Sequence, residues 1–272
     1  MGTESLSLLV EPEVLEQHLD DTGLRIVDLS KADTYRQYHV PGAVHLDYAS
    51  IVHAEKPAMG LLPNDEHLSQ VFSALGITAD THVVAYDDEG GGRACRLLWT
   101  LDVVGHRKFS LLNGGLHAWA NEGHPLSNEP VQIVPSSYDV RRTEKGIADK
   151  DYVLAHLKDA DLALLDTRTP EEFSGLKRYA ERGGHIPGAV NMNWVLAMDD
   201  SRNLRLLPES QLRPLLKNLD VTPDKEVITY CQTHHCSAHT YIVLKTLGYQ
   251  KVRGYHGAWS EWGNDPNTPV ER

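Results

Sequence analysis

Short apolar runs separated by longer polar, helix-periodic stretches recur along this chain. "RIVDL" (25–29), "HVVAY" (82–86), "ALLDT" (163–167) and "EVITY" (226–230) have the length and aliphatic, often β-branched character of buried strands. The stretches between them read as helices. Gly105 and Gly248 stand where a left-handed residue would end the helix after the second and fourth runs. Strands that are apolar on both faces and alternate with helices predict parallel sheets covered on each side. The expected fold class is α/β.

The order of these elements occurs twice. "LRIVDLSKADTY" followed by "HVPGAV" returns as "LALLDTRTPEEF" followed by "HIPGAV", so Asp28 matches Asp166 and His39 matches His185. Further on, "HVVAYDDEGGGRA" matches "EVITYCQTHHCSA", and "NGGLHAW" matches "RGYHGAW", which places Trp119 beside Trp259. Two domains are therefore expected, 1–126 and 149–272. The segment 127–148 joins them, with prolines, serines and charges but no sustained periodicity; "SYDVRR" within it has some strand character.

The copies differ in two places that bear on chemistry. Ligands of open parallel sheets bind beyond the carboxyl ends of the strands, and there the first copy has Asp87 where the second has Cys231. The interval from Asp28 to His39 is 11 residues and that from Asp166 to His185 is 19, so the second copy carries an eight-residue insertion within "SGLKRYAERGG". Lys177, Arg178 and Arg182 belong to it, in the half that holds the cysteine. The first copy is expected to be catalytically inactive and the second to carry the site.

Composition narrows the reading. With 26 basic and 38 acidic residues the net charge is −12, which repels nucleic acid and anionic lipid and requires any anionic substrate to be captured by a local cluster. No segment approaches the length of apolar sequence that a membrane span needs, and the N-terminal "MGTESLSLLVEPEV" lacks a basic secretory leader, so a cytoplasmic protein is expected. The Met-Gly start and the serine after it are a short match to a myristoylation pattern. Three cysteines, Cys95, Cys231 and Cys236, are too few for a disulfide framework, so their interest is chemical.

Cys231 ends an apolar strand, and the run Cys231-Gln232-Thr233-His234-His235-Cys236 leads into a helix. Such a loop can turn its amides inward as an anion-binding nest, and the helix N-terminus adds its positive end; together they lower a cysteine pKa and make a nucleophilic thiolate. Thr233 and Ser237 offer hydroxyl donors, and His234 and His235 offer hydrogen bonds or partial charge. With the amides inward, Cys236 is expected at the pocket rim with both thiols free. A metal site from Cys231, His234, His235, Cys236 and His239 is the rival reading, disfavoured because adjacent histidines diverge. No metal and no cofactor are expected.

The duplicated "HVPGAV" and "HIPGAV", the "DTRTPEEF" segment, the cysteine loop and the closing "GYHGAWSEWGNDPNTPVE" resemble the rhodanese family over essentially the whole chain. The closest likeness is to two-domain sulfurtransferases with an inactive N-terminal and an active C-terminal copy. The resemblance implies two tandem rhodanese-like domains and a Cys231 thiolate that takes sulfane sulfur from thiosulfate as a persulfide and gives it to cyanide or a thiol acceptor. It also implies that Arg182 holds the substrate's oxygens and Trp194 walls the pocket, while Gln232, Thr233, His234, His235 and Cys236 line the site. The "CQTHH" loop is similar to bacterial thiosulfate:cyanide sulfurtransferases with arginine in sixth place, where this chain has Cys236. The Gly-Ser-Gly-Val-Thr run of mercaptopyruvate sulfurtransferases is absent. Phosphatases of a related fold have arginine where Ser237 stands. The alternatives are a mercaptopyruvate sulfurtransferase and a non-enzymatic Cys231/Cys236 redox sensor or sulfur carrier. A monomer acting on small molecules is expected, without nucleic-acid or membrane partners.

Overall fold

The computed structural model describes residues 6–143 and 145–272. The Met-Gly start of the myristoylation pattern lies outside the described residues. Elements run in chain order as β1 (Leu9–Val10), α1 (Pro12–Glu16), β2 (Leu24–Asp28), α2 (Ala32–Gln37), β3 (Val44–His45), the hairpin β4 (His53–Glu55) and β5 (Ala58–Leu61), and α3 (Asp65–Ala74). They continue with β6 (His82–Tyr86), α4 (Gly92–Val103), β7 (Phe109–Leu112), α5 (Gly115–Asn121), β8 (Ile147–Ala148), α6 (Lys150–His156), β9 (Leu162–Asp166) and α7 (Pro170–Phe173). The remainder is β10 (Val190–Asn191), the hairpin β11 (Met198–Asp199) and β12 (Arg205–Leu206), α8 (Glu209–Asn218), β13 (Glu226–Tyr230), α9 (Cys236–Thr246), β14 (Val252–Tyr255) and α10 (Ala258–Trp262).

Two five-stranded sheets have orders β1-β7-β6-β2-β3 and β8-β14-β13-β9-β10, and every pairing within them is parallel. The orders are identical once the copies are superposed, as the repeat requires. The central strand of each sheet, β6 or β13, is paired on both edges and buried over its last four residues, which is why "HVVAY" and "EVITY" are mostly apolar. Gly105 and Gly248 take φ of 85° and 82° just beyond α4 and α9, a conformation that a side chain would strain.

The chain separates into two compact units, but not at one cut. Unit 1 comprises 6–51, Pro63–Thr143 and Met198–Leu206; unit 2 comprises Val52–Leu62, 145–197 and Leu207–Arg272. Each hairpin therefore belongs to the unit built mainly from the other half of the sequence. The expected joining segment also differs. Residues 127–143 bond to unit 1, through Ser136 N–H to the Ser73 carbonyl at 2.9 Å, Val140 N–H to Ser69 Oγ at 3.0 Å and Thr143 N–H to the Val103 carbonyl at 2.9 Å. They contain no named strand, including "SYDVRR", and Ile147–Ala148 forms the edge strand β8 on β14. Extended polar sequence has no periodicity to reveal which surface will satisfy its backbone.

Each unit has its own core. Val10, Ile26, Val84, Leu112 and Trp119 are buried together in unit 1, and Val153, Leu164, Ile228, Tyr255, Trp259 and Trp262 in unit 2. The indole matching is displaced by one helical turn from the sequence alignment. Trp119 Nε1 donates to the Pro125 carbonyl at 2.6 Å and Trp262 Nε1 to the Pro269 carbonyl at 2.7 Å, so Trp262 is the counterpart of Trp119. Trp259 corresponds to Leu116, whose N–H caps the Asp87 carbonyl at 3.0 Å just as Trp259 N–H caps Cys231 at 2.9 Å. The "AW" match misled because Trp259 and Trp262 lie one turn apart on α10.

Trp262→Ala should lower stability by about 3–5 kcal/mol, the usual loss for a fully buried indole, and move the denaturant midpoint down accordingly. A midpoint within experimental error of wild type would show that unit 2 does not depend on this anchor.

Candidate active site

β13 ends at Tyr230 and α9 begins at Cys236, leaving a five-residue loop that must reverse within the width of the sheet edge. His234 makes this possible by adopting φ of 56°, where unit 1 has Gly90 at 95°. Its ring holds the turn, with Nδ1 2.7 Å from Ser237 Oγ, and its side chain is fully buried. The result is a loop wrapped around the Cys231 sulfur, which is 2% exposed. Burial by itself would push that thiol up. Against it stand hydrogen bonds from the Cys236 S–H, the Ser237 hydroxyl and the N–H groups of Ser237 and Thr233, and these hold Cys231 well below the ordinary thiol range. Cys236, donating to Cys231, is pushed far up.

Unit 1 displays the same cradle with a different anion. Asp87 Oδ1 accepts from the N–H groups of Glu89 at 3.0 Å and Gly91 at 2.8 Å, and Oδ2 from Arg93 and Ala94 at 2.9 Å each. Glu89 and Arg93 align with Thr233 and Ser237. The carboxylate thus accepts from the N–H groups that match those of Thr233 and Ser237, and from two more.

Support for the loop comes from below and from both sides. Tyr230 directly precedes Cys231, pairs with Asp166 across the strands, and accepts from Ile186 N–H at 3.1 Å in the "HIPGAV" turn. Tyr86 repeats this with Asp28 at 2.5 Å and Val40 at 3.0 Å. Unit 2 adds Arg168, whose Nε lies 3.0 Å from both Asp166 oxygens and whose guanidinium sits 4.6 Å from the Trp259 ring centre. The hairpin β4–β5 closes one wall. Met59 N–H donates to Ser260 Oγ at 3.0 Å and Leu62 N–H to His256 Nδ1 at 3.2 Å. Gly60 packs so closely that a Cβ there would lie 2.1 Å from the Thr233 carbonyl oxygen. Trp194 forms another wall, its ring 6.0 Å from His235 and 5.2 Å, edge-on, from His239. His239 is completely buried and kept neutral, its pKa lowered to about 3 by burial and by His235. Gln232 ties the loop to the insertion through Nε2 to the Tyr179 carbonyl at 3.3 Å.

Cys231, Gln232, Thr233, His234, His235, Cys236 and Trp194 are thus brought together. Arg182 is not available as the expected substrate clamp. Its Nη1 donates to the Thr268 carbonyl at 2.6 Å, its Nη2 to the Trp262 carbonyl at 2.7 Å and also to the Asp265 carbonyl and Thr268 Oγ1, and its Nε to Gly263 at 3.4 Å. A guanidinium has five N–H donors, and here they fasten the insertion to the C-terminal segment. Lys177 and Arg178 of the insertion are exposed. Cys236, the first residue of α9, is partly exposed. The contributions of Gly60, His256 and Ser260 went unread in the sequence, since nothing local in "AMGL" marks a segment that packs against a loop more than 170 residues away. Among the described residues, the group of three converging metal-type ligands is Glu13, Glu122 and His124, which belong to unit 1.

A duplicated parallel α/β unit with an amide cradle at the end of its central strand defines a protein class. The rhodanese-like domain family matches residues 11–122 and 149–265, and the chain belongs to that family. It is 46% identical over 267 residues, covering 98% of each chain, to a protein of Azotobacter vinelandii named thiosulfate sulfurtransferase. A Pseudomonas aeruginosa protein of the same name is 44% identical, over 98% of this chain and 97% of its own. The wild-type structure of EanB superposes with a TM-score of 0.86 at 22% identity, covering 97% of this chain and 69% of that one, a likeness of fold.

Gly60→Ala should displace the Thr233 backbone and thereby the N–H that faces sulfur; the expected result is a higher Cys231 pKa, read from the pH dependence of alkylation, and unchanged alkylation would remove the hairpin from the site's support. Arg182→Ala should behave as a stability mutant, losing about 1.5–3 kcal/mol in denaturant unfolding, with a smaller effect on substrate KM; a large KM rise at unchanged stability would restore its binding role.

Proposed function

We propose that this protein is a thiosulfate sulfurtransferase whose nucleophile is Cys231. The observation that carries the reading is a buried sulfur surrounded by four hydrogen-bond donors, Cys236, Ser237 Oγ and the N–H groups of Ser237 and Thr233, at the end of the central strand. The Cys231 thiolate attacks the outer sulfur of thiosulfate, the S–S bond of the donor breaks, sulfite departs with the electron pair, and a Cys231 persulfide remains. Cyanide or a thiol then attacks the outer persulfide sulfur and returns Cys231 to the thiolate. The naming of relatives at 44–46% identity over nearly the whole chain supports thiosulfate as donor. Two-step covalent transfer of this kind gives ping-pong kinetics.

The inward donors stabilise negative charge on sulfur before and after loading, so the thiolate is both nucleophile and leaving group at low cost. With Arg182 engaged elsewhere, the substrate's oxygens are met by His235, half-exposed against Trp194, and by the exposed cations Lys177 and Arg178. Unit 1, with a carboxylate in the cradle, has no nucleophile there and serves a structural role. Three free cysteines suit a reducing cytoplasm. Every group in this scheme belongs to one chain, so a monomer suffices.

Cys231→Ser should abolish thiocyanate formation from thiosulfate and cyanide while the fold is kept, and Cys95→Ala in unit 1 should retain it. More than trace turnover by the serine variant would overturn the assignment of the nucleophile. The pH profile is a second check. A lowered folded-state pKa leaves the thiolate present above it, so the loading rate should stay level from neutral to alkaline pH and fall only on acidification through the lowered value. A rate that instead rises through about pH 8.5, as for an ordinary thiol, would contradict the cradle's effect.

A further inference from the structure

We infer that unit 1 carries a ligand site of its own, at the end of its sheet opposite the Asp87 cradle, for a small aromatic molecule that bears a hydroxyl donor and a positively charged substituent. A cavity of about 520 Å³ opens there, within the range that encloses small ligands. Its walls come from residues 18 and 20–23 after α1, from Leu24 and His82, the first residues of β2 and β6, and from Lys108 just before β7. Leu6 and Leu24 give it apolar surface. The inference is independent of the reaction proposed for Cys231.

Unit 2 shows what fits such a corner, because there the chain fills it with a side chain. Aligning "LRIVD" with "LALLD" and "HVVAY" with "EVITY" matches Val14 to Tyr152, His18 to His156 and His82 to Glu226. Strand pairing matches Ser110, opposite Val84, to Arg253, opposite Ile228. The Tyr152 ring stacks on His156 with 4.0 Å between ring centres and lies 4.5 Å from the Arg253 guanidinium, while its hydroxyl donates to Glu226 at 2.7 Å. In unit 1 the matching side chain is Val14, which is 41% exposed and has neither a ring nor a hydroxyl. The histidine remains as His18, held through Nδ1 by Asp21 at 2.7 Å, and His82 stands where Glu226 accepts. The ligand thus takes the place of an aryl ring that unit 1 does not supply.

Hydrogen bonding assigns the acceptor. Ser110 Oγ has one proton and gives it to the Ser7 carbonyl at 2.5 Å, so the 2.7 Å contact of His82 Nε2 with the same oxygen uses the Nε2–H. His82 Nδ1 is therefore a bare lone pair, and it has no partner among the described residues. Burial, with His106, Lys108 and His18 nearby, lowers the His82 pKa to about 4, so the ring stays neutral and accepting at neutral pH. A ligand hydroxyl satisfies this nitrogen as the Tyr152 hydroxyl satisfies Glu226. The charge of the ligand follows from the remaining lining. Asp21 is taken by His18 and Asp80 by Lys108 at 3.1 Å, which leaves Asp20 without an ion-pair partner among the described residues. Three carboxylates against one ammonium repel an anion and favour a cation.

Tyramine, which joins a phenol to an ammonium, is the probe, titrated into the full-length protein by calorimetry with NMR of the histidine rings as a second reading. Wild type should bind one equivalent saturably and shift the His18 and His82 ring signals. Phenethylamine, which lacks the hydroxyl, should bind about threefold to tenfold more weakly, the worth of one hydrogen bond. The anion 4-hydroxyphenylacetate, with the same phenol, should fail to saturate where tyramine does. Val14→Tyr, which gives unit 1 the residue that fills the corner in unit 2, should abolish tyramine binding and keep thiocyanate formation. Asp20→Asn, a change at an exposed side chain, should weaken tyramine about twofold to fivefold and narrow its advantage over the anion. Tyramine binding that does not saturate, equal affinity for the three compounds, or unchanged tyramine affinity in either variant that folds overturns the inference.

Discussion

A ring of inward-facing backbone N–H groups at the end of a central parallel strand is the constraint on which both units depend. Buried donors without an acceptor cost as much as lost hydrogen bonds, so a loop of this shape persists only around an anion. Unit 1 supplies that anion from its own sequence as the Asp87 carboxylate, with four N–H contacts between 2.8 and 3.0 Å. Unit 2 supplies the Cys231 sulfur, which the same donors hold well below the ordinary thiol range. The same architecture therefore encloses a carboxylate in one place and a cysteine sulfur in the other, and a single residue type at the strand end decides which.

Burial does not make a cysteine reactive. Cys95 is as deeply buried as Cys231, lies on the helix that leaves the unit 1 cradle, and has its thiol pushed well up by burial and by the Asp87 charge. Cys231 starts from the same desolvation and ends well below the ordinary range because donors converge on it. The difference is direction: an N–H, O–H or S–H aimed at sulfur stabilises the charged form, and low surrounding polarity strengthens each of them. His234 links this electrostatics to the backbone. It accepts a left-handed φ that unit 1 assigns to glycine, and holds through its ring the serine that donates to sulfur.

Much of unit 2 beyond the loop exists to keep that direction fixed. Asp166, Arg168, Tyr230 and Trp259 form a buried assembly immediately beneath Cys231. The insertion, whose cations suggest substrate binding when read as sequence, is instead stitched to the C-terminal segment by Arg182 and to the cysteine loop by Gln232. The hairpin β4–β5 approaches the loop at Gly60, where a missing Cβ lets two backbones meet. Rigidity of this kind matters for a site whose donors act over hydrogen-bond distances, where small displacements cost much of the stabilisation.

The sequence by itself determined the duplication, the α/β class, the strand that carries Cys231 and the loop that surrounds it, because strand burial, turn glycines and a repeated order of motifs are local or nearly local signals. It also distinguished the two copies, since Asp87 and Cys231 occupy the same place in matched runs. Only the tertiary structure decided the rest. The exchange of hairpins between units, the docking of 127–143 on unit 1, the use of Arg182 as a structural tie and the approach of Gly60 to Thr233 all depend on which distant backbone or side-chain groups come within reach. A cation in a loop reads the same whether it faces substrate or a buried carbonyl. The choice is made by unsatisfied acceptors elsewhere in the chain, and their positions appear only after it has folded.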